Sequence, residues 1–102
     1  MNEYHKLPLP DGATEVQPVS SLAFTEGPAV DEDGTLYFSD IENNRILRLQ
    51  PDGTREVFRE PSHRTNGNTF DQRRRLYHCE GAEFGPGGGR RVTRTDLNTG
   101  LF

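Results

Sequence analysis

Cysteine, long apolar runs and excess positive charge are absent or nearly so from this sequence, and each lack narrows what the chain can be. Cys79 is the one cysteine among 102 residues, so no disulfide can close within the chain, a usage that fits a reducing compartment. No apolar run approaches the roughly 18 residues that a membrane-spanning helix needs. Met1 to Lys6 hold no basic stretch followed by an apolar one, so no secretory signal is read, and the expectation is a soluble, cytoplasmic chain with no membrane partner. The net charge is −4, which gives no electrostatic case for nucleic acid as a partner. The basic clusters Arg73-Arg74-Arg75 and Arg90-Arg91 are short, the first is balanced by acidic neighbours, and both read as solvated surface.

Apolar residues are scarce as well, at 30% beside 27% charged, so disorder competes as an explanation of the composition. The apolar residues nevertheless fall in short runs between turn signals, which a disordered tail rarely shows. Helical periodicity is missing, because Pro or Gly interrupts most candidate windows. Strand signals take its place. Thr35-Leu36-Tyr37-Phe38 follows the turn dipeptide Asp33-Gly34, and Arg45-Ile46-Leu47-Arg48-Leu49 follows Glu42-Asn43-Asn44. Pro51-Asp52-Gly53 then reverses the chain into Thr54-Arg55-Glu56-Val57-Phe58. The expectation is an all-β meander.

The meander is written twice. Glu26-Gly27-Pro28-Ala29-Val30-Asp31 aligns with Asn66-Gly67-Asn68-Thr69-Phe70-Asp71 at an offset of 40, and the same offset carries Leu36-Tyr37 onto Leu76-Tyr77. Arg45-Ile46-Leu47-Arg48 matches Arg91-Val92-Thr93-Arg94 at an offset of 46, with the difference absorbed in the Gly-rich stretch Gly81 to Gly89, which reads as a hairpin insertion. A period near 40 residues with about four strands per unit is the spacing of β-propeller blades. The fold expected is about two blades of a propeller in an incomplete ring. Residues 1–20 form a lead-in or ring-closing strand, 21–62 the first blade and 63–102 a truncated second blade.

Phe24-Thr25-Glu26-Gly27-Pro28, Leu36-Tyr37-Phe38-Ser39-Asp40, Asn43-Asn44-Arg45-Ile46 and Pro51-Asp52-Gly53 resemble the first blade of the SMP-30/gluconolactonase family. The second repeat extends the resemblance through Arg64-Thr65-Asn66-Gly67-Asn68-Thr69-Phe70-Asp71, Arg75-Leu76, Cys79-Glu80 and Arg91-Val92-Thr93-Arg94-Thr95. It implies a six-bladed propeller that holds a divalent cation, usually calcium, in its axial channel and opens sugar lactones. On the matching positions it implies Glu26 as a metal ligand, Asn66 at metal or substrate, and Arg64 at substrate. The family draws a further asparagine and aspartate from later blades, which have no counterpart here. The chain is therefore expected to be a fragment, inactive alone, whose general base is absent.

The repeat supports two of those positions by itself, since Glu26 and Asn66 stand at the same place in successive units. A carboxylate and an amide carbonyl are hard oxygen donors, suited to Ca2+, Mg2+ or Mn2+ rather than to zinc or copper. Calcium takes about six to eight oxygens, so two protein ligands promise a weak site. Two readings from other classes stay open: a non-enzymatic propeller-type binding module, and a blade pair that self-associates through exposed sheet faces, three copies closing one ring. His63 and His78 lack ligand spacing and read as surface or packing residues, and Cys79 as a small buried hydrophobe. Asp31-Glu32-Asp33-Gly34 lacks the rest of an EF-hand loop and reads as an acidic hairpin turn. Phe84 to Gly89 lacks a phosphate-loop ending and reads as a flexible loop.

Overall fold

The structure is a computed structural model that describes residues 24–81 and 87–100, together with residue 18. Three hairpin turns in it are made by chemistry visible in the sequence. Between the first two strands, Gly34 donates its N–H to the Asp31 carbonyl at 2.9 Å, and Asp33 Oδ1 accepts the Thr35 N–H at 2.9 Å. Gln50 to Gly53 repeats the device, with Asp52 Oδ1 accepting the Thr54 N–H at 2.8 Å. Asp71 does the same for the N–H groups of Arg73 and Arg75 at 2.8 and 3.1 Å. Carboxylates that mimic a backbone turn acceptor are what make Asp frequent at such positions.

The strands so separated are β1 (Thr25–Val30), β2 (Leu36–Asp40), β3 (Arg45–Leu49), β4 (Arg55–Arg59), β5 (Thr65–Phe70), β6 (Arg75–Glu80) and β7 (Val92–Asp96). They form two antiparallel sheets, β1-β2-β3-β4 and β5-β6-β7, and the described residues contain no helix. The register is the same in both. Thr25 faces Asp40 as Thr65 faces Glu80, and Ala29 faces Tyr37 as Thr69 faces Tyr77. Leu36 faces Leu49 as Leu76 faces Thr95, and Tyr37 faces Arg48 as Tyr77 faces Arg94. Offsets of 40 and 46 therefore hold in pairing as well as in sequence. Of the Gly-rich insertion between β6 and β7, residues 82–86 lie outside the described residues.

β1 and β2 pack against β5, which joins the two sheets face to face. The apolar core is small: Tyr37, Phe38, Ile41, Ile46, Leu47 and Leu76. Tyr37 sits edge-on to both Phe58 and Phe70, with ring centroids 5.0 and 5.5 Å away, so one tyrosine ties β2 to β4 and across to β5. Polar groups fill much of the remaining interior, among them Ser39, Asp40, Arg59, Ser62, Thr65, His78, Glu80 and Thr95. Such groups are tolerated because they are paired. The Glu80 carboxylate accepts from Arg59 Nη2, Arg91 Nε and Thr93 Oγ1, each at 2.9 Å, which pins the outer strand β4 to the second sheet. Arg74 reaches back to Asp31 at 2.7 Å and joins the two hairpin turns. The low apolar fraction thus belongs to an interface that is hydrogen-bonded over much of its area.

Cys79 departs from expectation, for it is exposed. On β6 the buried residues are Leu76, His78 and Glu80, which face the first sheet, so strand alternation turns Cys79 to the opposite face. His78, by contrast, is fully buried, as a packing residue would be.

Candidate cation site at the paired bulges

Both repeats carry an irregularity at the same place. Pairing of β1 with β2 shifts register between Glu26 and Ala29, and pairing of β5 with β6 shifts between Thr65 and Asn68. Bulges re-aim side chains and recur beside functional sites. Here they bring Glu26 and Asn66 to equivalent positions on packed neighbouring strands, and the bulges touch. Gly27 has φ +61°, and a Cβ there would fall on the Asn66 carbonyl oxygen and 2.9 Å from Gly67 Cα. Only glycine permits that approach.

Glu26 is exposed, and its Oε1 accepts the adjacent Gly27 N–H at 3.0 Å. Asn66 is half-buried, and its carbonyl accepts the Ser39 hydroxyl at 2.9 Å. Arg64 is placed differently. Its φ is +58°, following His63 at +54°. Its N–H donates to Asn44 Oδ1 at 2.7 Å, and its Nη1 donates to the Ile41 and Glu42 carbonyls, both at 3.0 Å. The arginine thus caps the turn between β2 and β3, two residues along the chain from Asn66.

Behind the bulges lies a set of residues that sequence reasoning missed as site residues. Asn68 Nδ2 lies 2.9 Å from both the Gly27 carbonyl and Ser39 Oγ. Asn68 Oδ1 lies 2.7 Å from His78 Nδ1, and His78 Nε2 lies 2.8 Å from Thr95 Oγ1. Burial, then the nearby Arg59 charge, lowers the His78 pKa to about 4, against a smaller opposing effect of Glu80. The imidazole is therefore neutral around pH 7. The sequence signal for this set is a polar residue at an inward-pointing position on four strands: Ser39 on β2, Asn68 on β5, His78 on β6 and Thr95 on β7.

A carboxylate and an amide at equivalent positions of neighbouring strands are donors of the kind a hard divalent cation takes. They fall short in number, for the described residues contain no group of three or more His, Cys, Asp or Glu side chains placed to hold an ion. No described helix is long and apolar enough to cross a membrane.

The SMP-30/gluconolactonase/LRE-like region model matches residues 24–101. A gluconolactonase from Xanthomonas campestris, described as important in glucose secondary metabolism, is 38% identical over 76% of this chain and 24% of its own, with a TM-score of 0.63. A structural-genomics target assigned as a gluconolactonase is 30% identical over 96% of this chain and 32% of its own, with a TM-score of 0.72. Streptogramin B lyase, 21% identical over 72% of this chain and 26% of its own, has a TM-score of 0.51 and shares the fold alone. The chain thus spans about a quarter to a third of the length of these structures. No curated protein matches it significantly. With the match running from the strand that carries Glu26 to the turn beyond β7, the chain belongs to the SMP-30/gluconolactonase/LRE-like family.

Proposed function

We propose that this chain supplies two consecutive blades of a six-bladed propeller that hydrolyses sugar lactones with the help of a divalent cation, calcium above magnesium or manganese. The observation that carries the reading is the matched placement of Glu26 and Asn66 at touching bulges of equivalent strands. Glu26 Oε1 accepts the Gly27 N–H, so Glu26 Oε2 and the Asn66 amide oxygen would be the donors that hold the cation. When bound, the cation would supply Lewis acidity to the lactone carbonyl oxygen. Around it, the task of the chain is to hold two donors at fixed spacing and to contribute substrate hydrogen bonds, for which Arg64 is the assigned residue. No residue of this chain is assigned as the general base that activates water.

Two donors out of about six to eight leave most of a calcium shell to water, so affinity on the order of millimolar or weaker is expected. The isolated chain is accordingly a fragment in function, expected to turn over no aldonolactone above the spontaneous rate. A pH-stat assay of calcium-loaded chain checks this: a rate above background that is lost in Glu26→Gln would overturn the inactivity. A second reading, a binding module without catalysis, is favoured by Arg64, whose Nη1 serves backbone carbonyls of the β2–β3 turn. Under that reading Glu26→Ala changes neither calcium affinity nor stability.

A further inference from the structure

The hydrogen bonds behind the bulges have only one consistent direction. The Gly27 and Asn66 carbonyls can only accept, so the Ser39 hydroxyl donates to Asn66 and must itself accept from Asn68. The two N–H bonds of the Asn68 amide are then divided between the Gly27 carbonyl and Ser39 Oγ. This turns Asn68 Oδ1 toward His78, which donates from Nδ1 and accepts the Thr95 hydroxyl at Nε2. The run Thr95 to His78 to Asn68 to Ser39 to Asn66 is thus one polarised chain, whose members strengthen one another. His78 and Thr95 are buried in the second sheet, and Ser39 is buried in the first. Asn68 stands between, its amide reaching the Gly27 carbonyl directly and the Asn66 carbonyl through Ser39.

We propose that Asn68, with Ser39 as its relay, is a positioning residue for the cation site: a strut that fixes the Gly27 and Asn66 peptides and so sets the spacing of the Glu26 and Asn66 donors. The role rests on the reading of Glu26 and Asn66 as cation ligands. It touches neither cation nor substrate and acts through the backbone of both bulges. An apolar side chain at position 68 would leave the Gly27 carbonyl, Ser39 Oγ and His78 Nδ1 each short of a partner, and the bulges would be free to slide on each other.

The test uses the whole chain and Mn2+ as the probe, read as paramagnetic broadening of the Gly27 and Gly67 amide signals, which registers even weak binding. Asn68→Ala and Ser39→Ala are expected to lower the Mn2+ affinity at least tenfold and about threefold, and Ser39→Thr to restore it. Leu47→Val, a trim of a buried core residue whose cross-strand partners are Phe38 and Val57 rather than members of the strut, serves as the stability control, with all variants compared by urea midpoint. Affinity that tracks the midpoint equally in all variants would reduce the strut to ordinary packing and overturn the proposal. Broadening that vanishes in Glu26→Gln yet persists unchanged in Asn68→Ala would overturn the strut while keeping the site. Broadening indifferent to Glu26→Gln would overturn the site and the strut with it.

Discussion

His78 shows how one residue couples burial to stability. Its pKa is lowered to about 4 in the fold against an ordinary 6.5, so below pH 6.5 the unfolded chain binds a proton that the folded chain refuses. The stabilisation is complete above pH 6.5 and is lost as pH falls from 6.5 toward 4. Arg59 and Glu80 are the charges that act on the ring, and Glu80 titrates lower down. Burial raises its pKa, but hydrogen bonds from Arg59, Arg91 and Thr93 prevail and hold it below its usual value. The carboxylate contribution is therefore lost only as pH falls below the ordinary carboxylate range. The urea midpoint of the wild-type chain is expected to decline between pH 6.5 and 4, and that limb to flatten in His78→Gln. A level wild-type profile across this window would show that the ring titrates freely.

At the scale of the element, the two bulges matter more than the strands that carry them. Gly27 and Gly53 both have positive φ, +61° and +91°, but only Gly27 has backbone where a side chain would go, since nothing lies within 4 Å of a Cβ on Gly53. Gly53→Ala is expected to cost about 1 kcal/mol, from backbone conformation alone. Gly27→Ala adds a collision with the Asn66 carbonyl and is expected to cost about 3 kcal/mol or more, read as the difference in denaturant midpoint. Equal costs for the two would mean that the bulges do not press together. The strand order, the turns and the equal register of both sheets were legible in the sequence, because turn residues and a repeat fix them locally. So was the equivalence of positions 26 and 66, which needs only that equivalent strands pack side by side. The strut was not legible. Asn68 aligns with Pro28 and Ser39 with Cys79, so the repeat offers no equivalent from which to infer them. Cys79 lies on the outer face for a related reason: Leu76 together with the polar contacts of His78 and Glu80 decides which phase of β6 faces inward, so an apolar-looking residue in the other phase is left exposed.

At the scale of the whole molecule, a sequence with 30% apolar residues joins two sheets through a limited apolar cluster and many directed polar bonds. Apolar contacts are interchangeable, whereas a hydrogen-bond chain and a buried ion pair accept few alternative alignments, which favours a fixed register between sheets over a tighter but looser-fitting core. The proposed cation site, spread over two sheets, would require such fixity, since a small slip at the interface would separate its donors. The central claim is that Glu26 and Asn66 hold one cation jointly. It is tested most directly by Ca2+ affinity, from NMR shift titration, across the cycle of wild type, Glu26→Gln, Asn66→Ala and the double variant. Joint ligation predicts that each single change weakens binding about tenfold and that the double change adds little, a coupling of about 1 kcal/mol or more. Wild-type affinity in either single variant, or effects that simply multiply in the double, would contradict it.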